Sequence, residues 1–406
     1  MAAPSGAAWG AAEERRGPAG QGEEYIDPGE AEFDELEVLR KKAESESAWA
    51  QDKDEQIPVD QQVLRKPWNK APFDTAPFDY TPEQIRSNWD MLMSGLGVPY
   101  PSAEFLRDGY NAFPELKAKH RNFDGDYAKL ESDLNGVWRL FLRGDFQAAM
   151  QRGSELGPMG TLAGKVSQVF YAVYLEPDLS HKHMLLQDCA NTIREFADSF
   201  DKMKTSKESR YRNNYVVAQI AYVYSIGRIA EDVPIPVAIG RNYVFKVLGA
   251  IDDVRELSPG NPLGLAASAG ADANVVRKVG KATGRITFGA RQNNIRADFE
   301  SALKTADLAV IRYEYANAIL YLNKKRDIDE AIEQLKRAES TRPRFAMEAL
   351  DAMYASKRKR EVEALARSSA SFRSFERKRL KYQKERNENL YCVLPGTCKP
   401  FIISTP

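Results

Sequence analysis

From Phe123 to about Ala355 the apolar residues recur at three- and four-residue spacing in run after run. Gly, Pro or Asp/Asn clusters separate the runs, and almost nothing alternates in the manner of a strand. That periodicity excludes sheet-based folds and leaves an all-α chain. It predicts helices over 126–143, 145–156, 161–175, 180–200, 211–230, 236–257, 263–280, 290–303, 306–323, 328–340 and 344–355. Taken in pairs they make about five helical hairpins at spacings of roughly 35 to 45 residues. A period in that range marks a helical repeat array, a right-handed α-solenoid.

Composition narrows the class further. A chain of 406 residues with 43% hydrophobic content sustains a core without metal or disulfide. Its 58 basic and 58 acidic residues cancel, so an electrostatic partner has to be argued from local patches. Three cysteines cannot form a disulfide framework and suit a reducing compartment. The start, Met1 to Gly10, has neither the basic nor the apolar region of a signal peptide. The apolar stretch from Tyr215 to Ile226 is broken by Gln219 and Ser225 and falls short of the roughly 20 residues of a membrane span. The expected setting is cytoplasmic.

Three regions follow. Residues 1–82 form an acidic, proline- and aromatic-containing arm, expected to be largely disordered or extended. Its first 60 residues hold sixteen Asp/Glu against six Lys/Arg, with one amphipathic helix expected near 32–49. The tetrad Ala71-Pro72-Phe73-Asp74 recurs as Ala76-Pro77-Phe78-Asp79, so the segment presents rings on a chain that cannot propagate a helix. Thr81-Pro82-Glu83-Gln84 then supplies the cap of a short helix ending near Gly95. Residues 83–355 carry the helical repeats. Residues 356–406 are a basic helix and an irregular tail; Lys357 to Glu388 hold twelve Lys/Arg against five Glu.

The clearest repeat runs from Tyr315 to Leu322, through a polar turn, and on to Ala331, Leu335, Ala338 and Pro343. Small Ala331 and Ala338 allow two helices to cross closely, Leu335 fills the layer between them, and Pro343 ends the second helix. A second partial unit is Leu142-Arg-Gly144-Asp145-Phe146-Gln-Ala-Ala149, where Gly144 permits a tight turn and Asp145 is placed to cap. These units resemble the tetratricopeptide repeat. The segments 164–177, 279–290 and 313–316 are similar to bacterial tetratricopeptide-like proteins of unestablished role. The resemblance covers residues 130 to 355; it implies the fold and no activity.

No reaction is readable. Ala266-Ala267-Ser268-Ala269-Gly270 lacks the strand that a nucleophile elbow needs, and reads as small residues packing a helix pair. Gly280-Lys281-Ala282-Thr283 lacks the first glycine of a phosphate-binding loop. His181, His183, Asp188 and Cys189 are the only cluster of metal-ligand types, but residues two apart point to different sides of a helix. Cys392 and Cys398 flank Val-Leu-Pro-Gly-Thr, a turn compatible with a redox-sensitive pair, but the expected reading is an unstructured tail and the pairing stays open. No cofactor is expected.

The expected function is therefore a non-catalytic protein–protein interaction scaffold that binds a partner peptide or helix in a concave groove. Tyr215, Gln219, Tyr222, Arg312 and Tyr315 are the candidate contacts, and the N-terminal arm is a candidate internal competitor docking in the same place. The alternative is a nucleic-acid or anionic membrane-surface adaptor. It would act through the basic C-terminal helix, at Lys357, Arg358, Lys359, Arg360, Arg377, Lys378 and Arg379; Arg285 and Arg291, in a glycine-jointed basic loop between helices, are a separate candidate for an anion.

Overall fold

A computed structural model describes residues 59–322 and 327–402 of the chain. The expected helix at 32–49 lies outside them. Twenty α-helices and no strand occur among the described residues. The entry segment holds α1 (Gln61–Arg65), α2 (Pro82–Ser87), α3 (Trp89–Leu92), α4 (Ala103–Ala112) and α5 (Pro114–Lys119). Thr81 caps α2 reciprocally: its hydroxyl accepts from Gln84 N at 3.3 Å and its N–H donates to Gln84 Oε1 at 2.8 Å.

The body continues with α6 (Tyr127–Arg143), α7 (Phe146–Ser154), α8 (Gly157–Tyr174), α9 (Leu179–Glu195), α10 (Ala197–Lys204) and α11 (Ser209–Asp232). Then come α12 (Ile235–Gly240), α13 (Tyr243–Leu257), α14 (Pro262–Val279), α15 (Lys281–Phe288) and α16 (Ile295–Thr305). The last four are α17 (Ala309–Tyr321), α18 (Asp327–Ser340), α19 (Ala346–Ala366) and α20 (Phe372–Arg386). The helix expected over 236–257 is broken because Asn242 adopts the left-handed conformation at φ 55°. The basic segment expected as a loop contains α15, and α19 runs without interruption through residue 355.

Neighbouring helices pack as successive hairpins, α7 on α8, α9 on α11, α11 on α13, α14 on α16 and α17, and α17 through α19. In the clearest repeat unit Ala331, Leu335 and Ala338 are fully buried between α17 and α18, as their sizes require. Gly144 ends α6 at φ 89°, and Phe146 and Ala149 are buried behind it. Asp145, however, pairs with Arg143 and makes no capping bond.

Contacts are not confined to neighbours, as they would be in an open repeat array. Phe141 of α6 meets Phe345 at 5.8 Å between ring centroids. Tyr174 of α8 donates to Asp351 of α19 at 2.5 Å and lies 2.5 Å from the Tyr313 hydroxyl of α17. The chain beyond α20 seals this contact: Asn389 Nδ2 donates to Val173 O and Glu176 O, and Val393 N donates to Tyr174 O. This stretch was expected to be an irregular tail; it is docked, and a Cys392–Cys398 disulfide closes its turn. The helices therefore curl back until late elements touch early ones.

The proline-rich segment before α2 also lies on its own domain. Trp68 stacks on Tyr171 at 4.2 Å, Asn69 Nδ2 donates to Leu175 O, and the Tyr80 hydroxyl donates to Arg344 O at 2.6 Å.

Candidate functional site

An apolar cleft of about 230 Å³ opens between α11 and α14, roofed by residues of α8, α12, α13, α15 and α17. One whole face of α14 lines it, with Leu263, Ala267, Ala271, Val275 and Val279 in one row and Ala266, Gly270, Asn274 and Lys278 in the next. Those rows follow from the four-residue spacing that puts side chains above one another on a helix, and span about 24 Å. Across the cleft, α11 contributes Ile220, Val223, Tyr224, Gly227, Arg228 and Glu231. Ile220 clusters near Leu263, Asn274 Nδ2 donates to Glu231 Oε1 at 3.0 Å, and Lys278 Nζ donates to Ala230 O. The two helices thus run in the same direction, apolar toward their N-terminal ends and charged toward their C-terminal ends.

Two mid-helix glycines, Gly227 and Gly270, border the cleft. Where α7 crosses α8, glycine is sterically required: a Cβ on Gly153 would sit 2.4 Å from Gly160 O. A Cβ on Gly227 or Gly270 would meet nothing within 4 Å. Helix-interior glycine costs roughly 0.5–1 kcal/mol relative to alanine, and no close approach offsets that here. The Ala266–Gly270 segment, expected to pack one helix on another, does so through Ala269, while Ala266, Ala267 and Gly270 border open space.

The charged end is a buried network. Arg228 donates through Nη1 to Glu231 Oε2 and to the Tyr391 hydroxyl, through Nη2 to the Tyr224 hydroxyl, and pairs with Glu314. Burial opposes ionisation of Glu231, yet Arg228 and then Arg277 hold its carboxyl below the usual range. Burial pushes Glu314 the other way, toward protonation, against the pull of Arg228. Lys278 gives two N–H groups to the terminal carbonyls of α11, Ala230 O at 2.8 Å and Val233 O at 2.7 Å. Burial, reinforced by Arg277, pulls its ammonium down to about 8. From Tyr224 a line of hydroxyls leads away through Tyr313 and Tyr174 to Asp351, whose carboxyl burial pushes up to about 8.

No protein-family model, no curated protein and no solved structure matches this chain.

The residues expected to bind a partner do not gather at this cleft. Tyr215 is buried with its hydroxyl on Asp253, Tyr222 is in the core, and Gln219 is half-buried beside them. Tyr315 is stacked on Phe299 at 5.0 Å, and Arg312 is forked onto Asp307. In the tail, Lys357, Arg358 and Arg379 are internal. Lys357 donates to Cys392 O, Arg358 bonds Glu361 and Glu376, and Arg379 bonds Glu361. Lys359 pairs with Glu339, while Arg360, Arg377, Lys378, Arg285 and Arg291 are exposed.

The histidines do not converge on a metal position. His181 accepts from Lys66, His183 pairs with Asp232, and Asp188 binds Lys165. Burial pushes the free Cys189 thiol up to about 11. No group of three metal-ligating side chains occurs among the described residues.

Sequence reasoning missed Gly227, Arg228, Glu231, Asn274 and Lys278, and read Gly270 only as a residue packing a helix pair. Two glycines inside otherwise strong helices were the available signal.

Proposed function

We propose that this protein is a non-catalytic binding protein, a tetratricopeptide-like adaptor whose working surface is the α11–α14 cleft and whose guest is apolar. The observation that carries the reading is the pair Gly227 and Gly270, mid-helix glycines bordering open apolar space with no packing need for them. Filling such a space returns the dispersion contacts and area burial that its walls lack. A peptide groove lined by Tyr215, Tyr222 and Tyr315 has less support, because those rings are committed to the interior. The tail as an anionic-surface adaptor is weakened in the same way, since Lys357, Arg358 and Arg379 spend their charge on internal partners.

Among the described residues no helix is long and apolar enough to cross a membrane. The cytoplasmic setting expected from cysteine usage sits poorly with a paired Cys392–Cys398, which favours an oxidising compartment.

The test is titration with the neutral fluorophore N-phenylnaphthylamine. Saturable, blue-shifted binding is expected of the natural chain and not of Gly270→Leu, which fills the cleft. Absence of saturable binding, or equal binding by the variant, refutes the reading.

A further inference from the structure

The charged end of the cleft gathers basic and acidic side chains that are unequally paired. Arg228, Arg277 and Lys278 meet there; Arg228 is paired with Glu231 and Glu314, and Arg277 with Glu376, which, against burial, Arg358, Arg379 and Arg277 hold ionised. Glu314 is driven toward its neutral form, and Asp232, which also faces Lys278, is engaged by Lys182 and His183. Among the described residues no carboxylate lies within ion-pair distance of Lys278, whose two bonds to carbonyls leave its third N–H unused. Arg228 Nε is a buried donor without a partner. An unmade bond of this kind costs about 1–3 kcal/mol. The Arg228 and Lys278 side chains, from two helices, thus stand at the end of an apolar trough.

We propose that the cleft is a binding site for a medium-chain carboxylate. Its alkyl chain lies along Ile220–Gly227 and Leu263–Ala271, and its carboxylate is taken by Lys278 and Arg228. The assignment rests on the apolar-guest reading above and adds the headgroup and the length. A 150 Å³ apolar cavity holds benzene, so about 230 Å³ takes roughly nine carbon atoms by the same measure. Asn274 Oδ1 is also unpartnered, but it is an acceptor and repels a carboxylate. The headgroup therefore sits on the Arg228–Lys278 side. Lys278 gains by the arrival of an anion, since burial and Arg277 disfavour its charge in the empty cleft.

The experiment displaces bound N-phenylnaphthylamine from the full chain with decanoate, decanol and hexadecanoate. Decanoate is expected to compete at least roughly tenfold more tightly than decanol, as a charge-assisted hydrogen bond implies, and more tightly than hexadecanoate. Lys278→Met is expected to erase the advantage of decanoate over decanol, with both measured against the variant's own dye affinity. Equal competition by decanoate and decanol overturns the carboxylate assignment and leaves the apolar cleft standing. An undiminished decanoate preference in the variant does the same to the role of Lys278. Failure of the dye itself to bind overturns both readings. The decanoate-to-decanol comparison is made on the natural chain, so a variant that does not fold leaves the proposal falsifiable.

Discussion

Asp351 shows how far burial changes a single residue. It is 1% exposed and reached by the Tyr174 hydroxyl, and burial pushes its carboxyl from 3.8 up to about 8. Between those values the folded protein holds a proton that the unfolded chain has released. The stability this contributes is complete below about pH 4 and is lost as pH rises toward 8, at about 1.4 kcal/mol per unit. Asp351→Asn keeps the shape and removes the titration. The thermal midpoint of the natural protein is expected to fall between pH 5 and 8 more steeply than that of the variant, and matching slopes would contradict this. Arg358, also 1% exposed, is the opposite case: a charge kept by Glu361 and Glu376 on either side, at a position where the sequence showed only one of a run of basic residues. Breaking such a buried pair costs about 3–5 kcal/mol, so the charge of Arg358, like that of buried Lys357 and Arg379, is structural.

Glycine separates structural from functional helix faces at the level of elements. Gly160→Ala puts a Cβ 2.5 Å from Gly153 O in the α7–α8 crossing. It is expected to lower unfolding free energy by about 1–3 kcal/mol, the usual cost of overpacking. Gly270→Ala in α14 meets nothing and is expected to raise it by about 0.5–1 kcal/mol, read by urea unfolding. Destabilisation by both would mean that the cleft is packed after all. Helices with strong local signals were legible in the sequence. The Thr81 cap, the Gly144 turn and the α17–α18 hairpin stand where their residues put them. The Asn242 break was not legible, because left-handed asparagine has no fixed local signature, and α15 was hidden by its own glycines. The cleft face of α11 was illegible for a different reason. That helix is buried almost all round, from Tyr211 through Ile229, so periodicity marks no single face. Helical spacing puts Tyr215 and Tyr222 on one face, while the open space belongs to Ile220, Gly227 and Glu231.

Closure is the property that local periodicity could not announce for the whole molecule. Tyr174 bonds across 139 residues to Tyr313 and 177 to Asp351, and the segment after α20 hydrogen-bonds the end of α8. Such contacts join early and late helices into one unit, so unfolding is expected to be a single transition by fluorescence and circular dichroism. Asn389→Ala, which removes donors to Val173 O and Glu176 O, is expected to lower that transition by about 1–3 kcal/mol without splitting it. A separate early phase confined to α19 and α20 would instead describe an open array. The α11–α14 cleft is an apolar space that these contacts leave open, and it is the proposed working surface. The most direct test of that conclusion is hydrogen exchange of the full chain with and without N-phenylnaphthylamine. Slowed exchange along 220–231 and 263–279 is the result expected. Unchanged exchange there, or protection confined to α20 or to the Arg285–Arg291 segment, would contradict it.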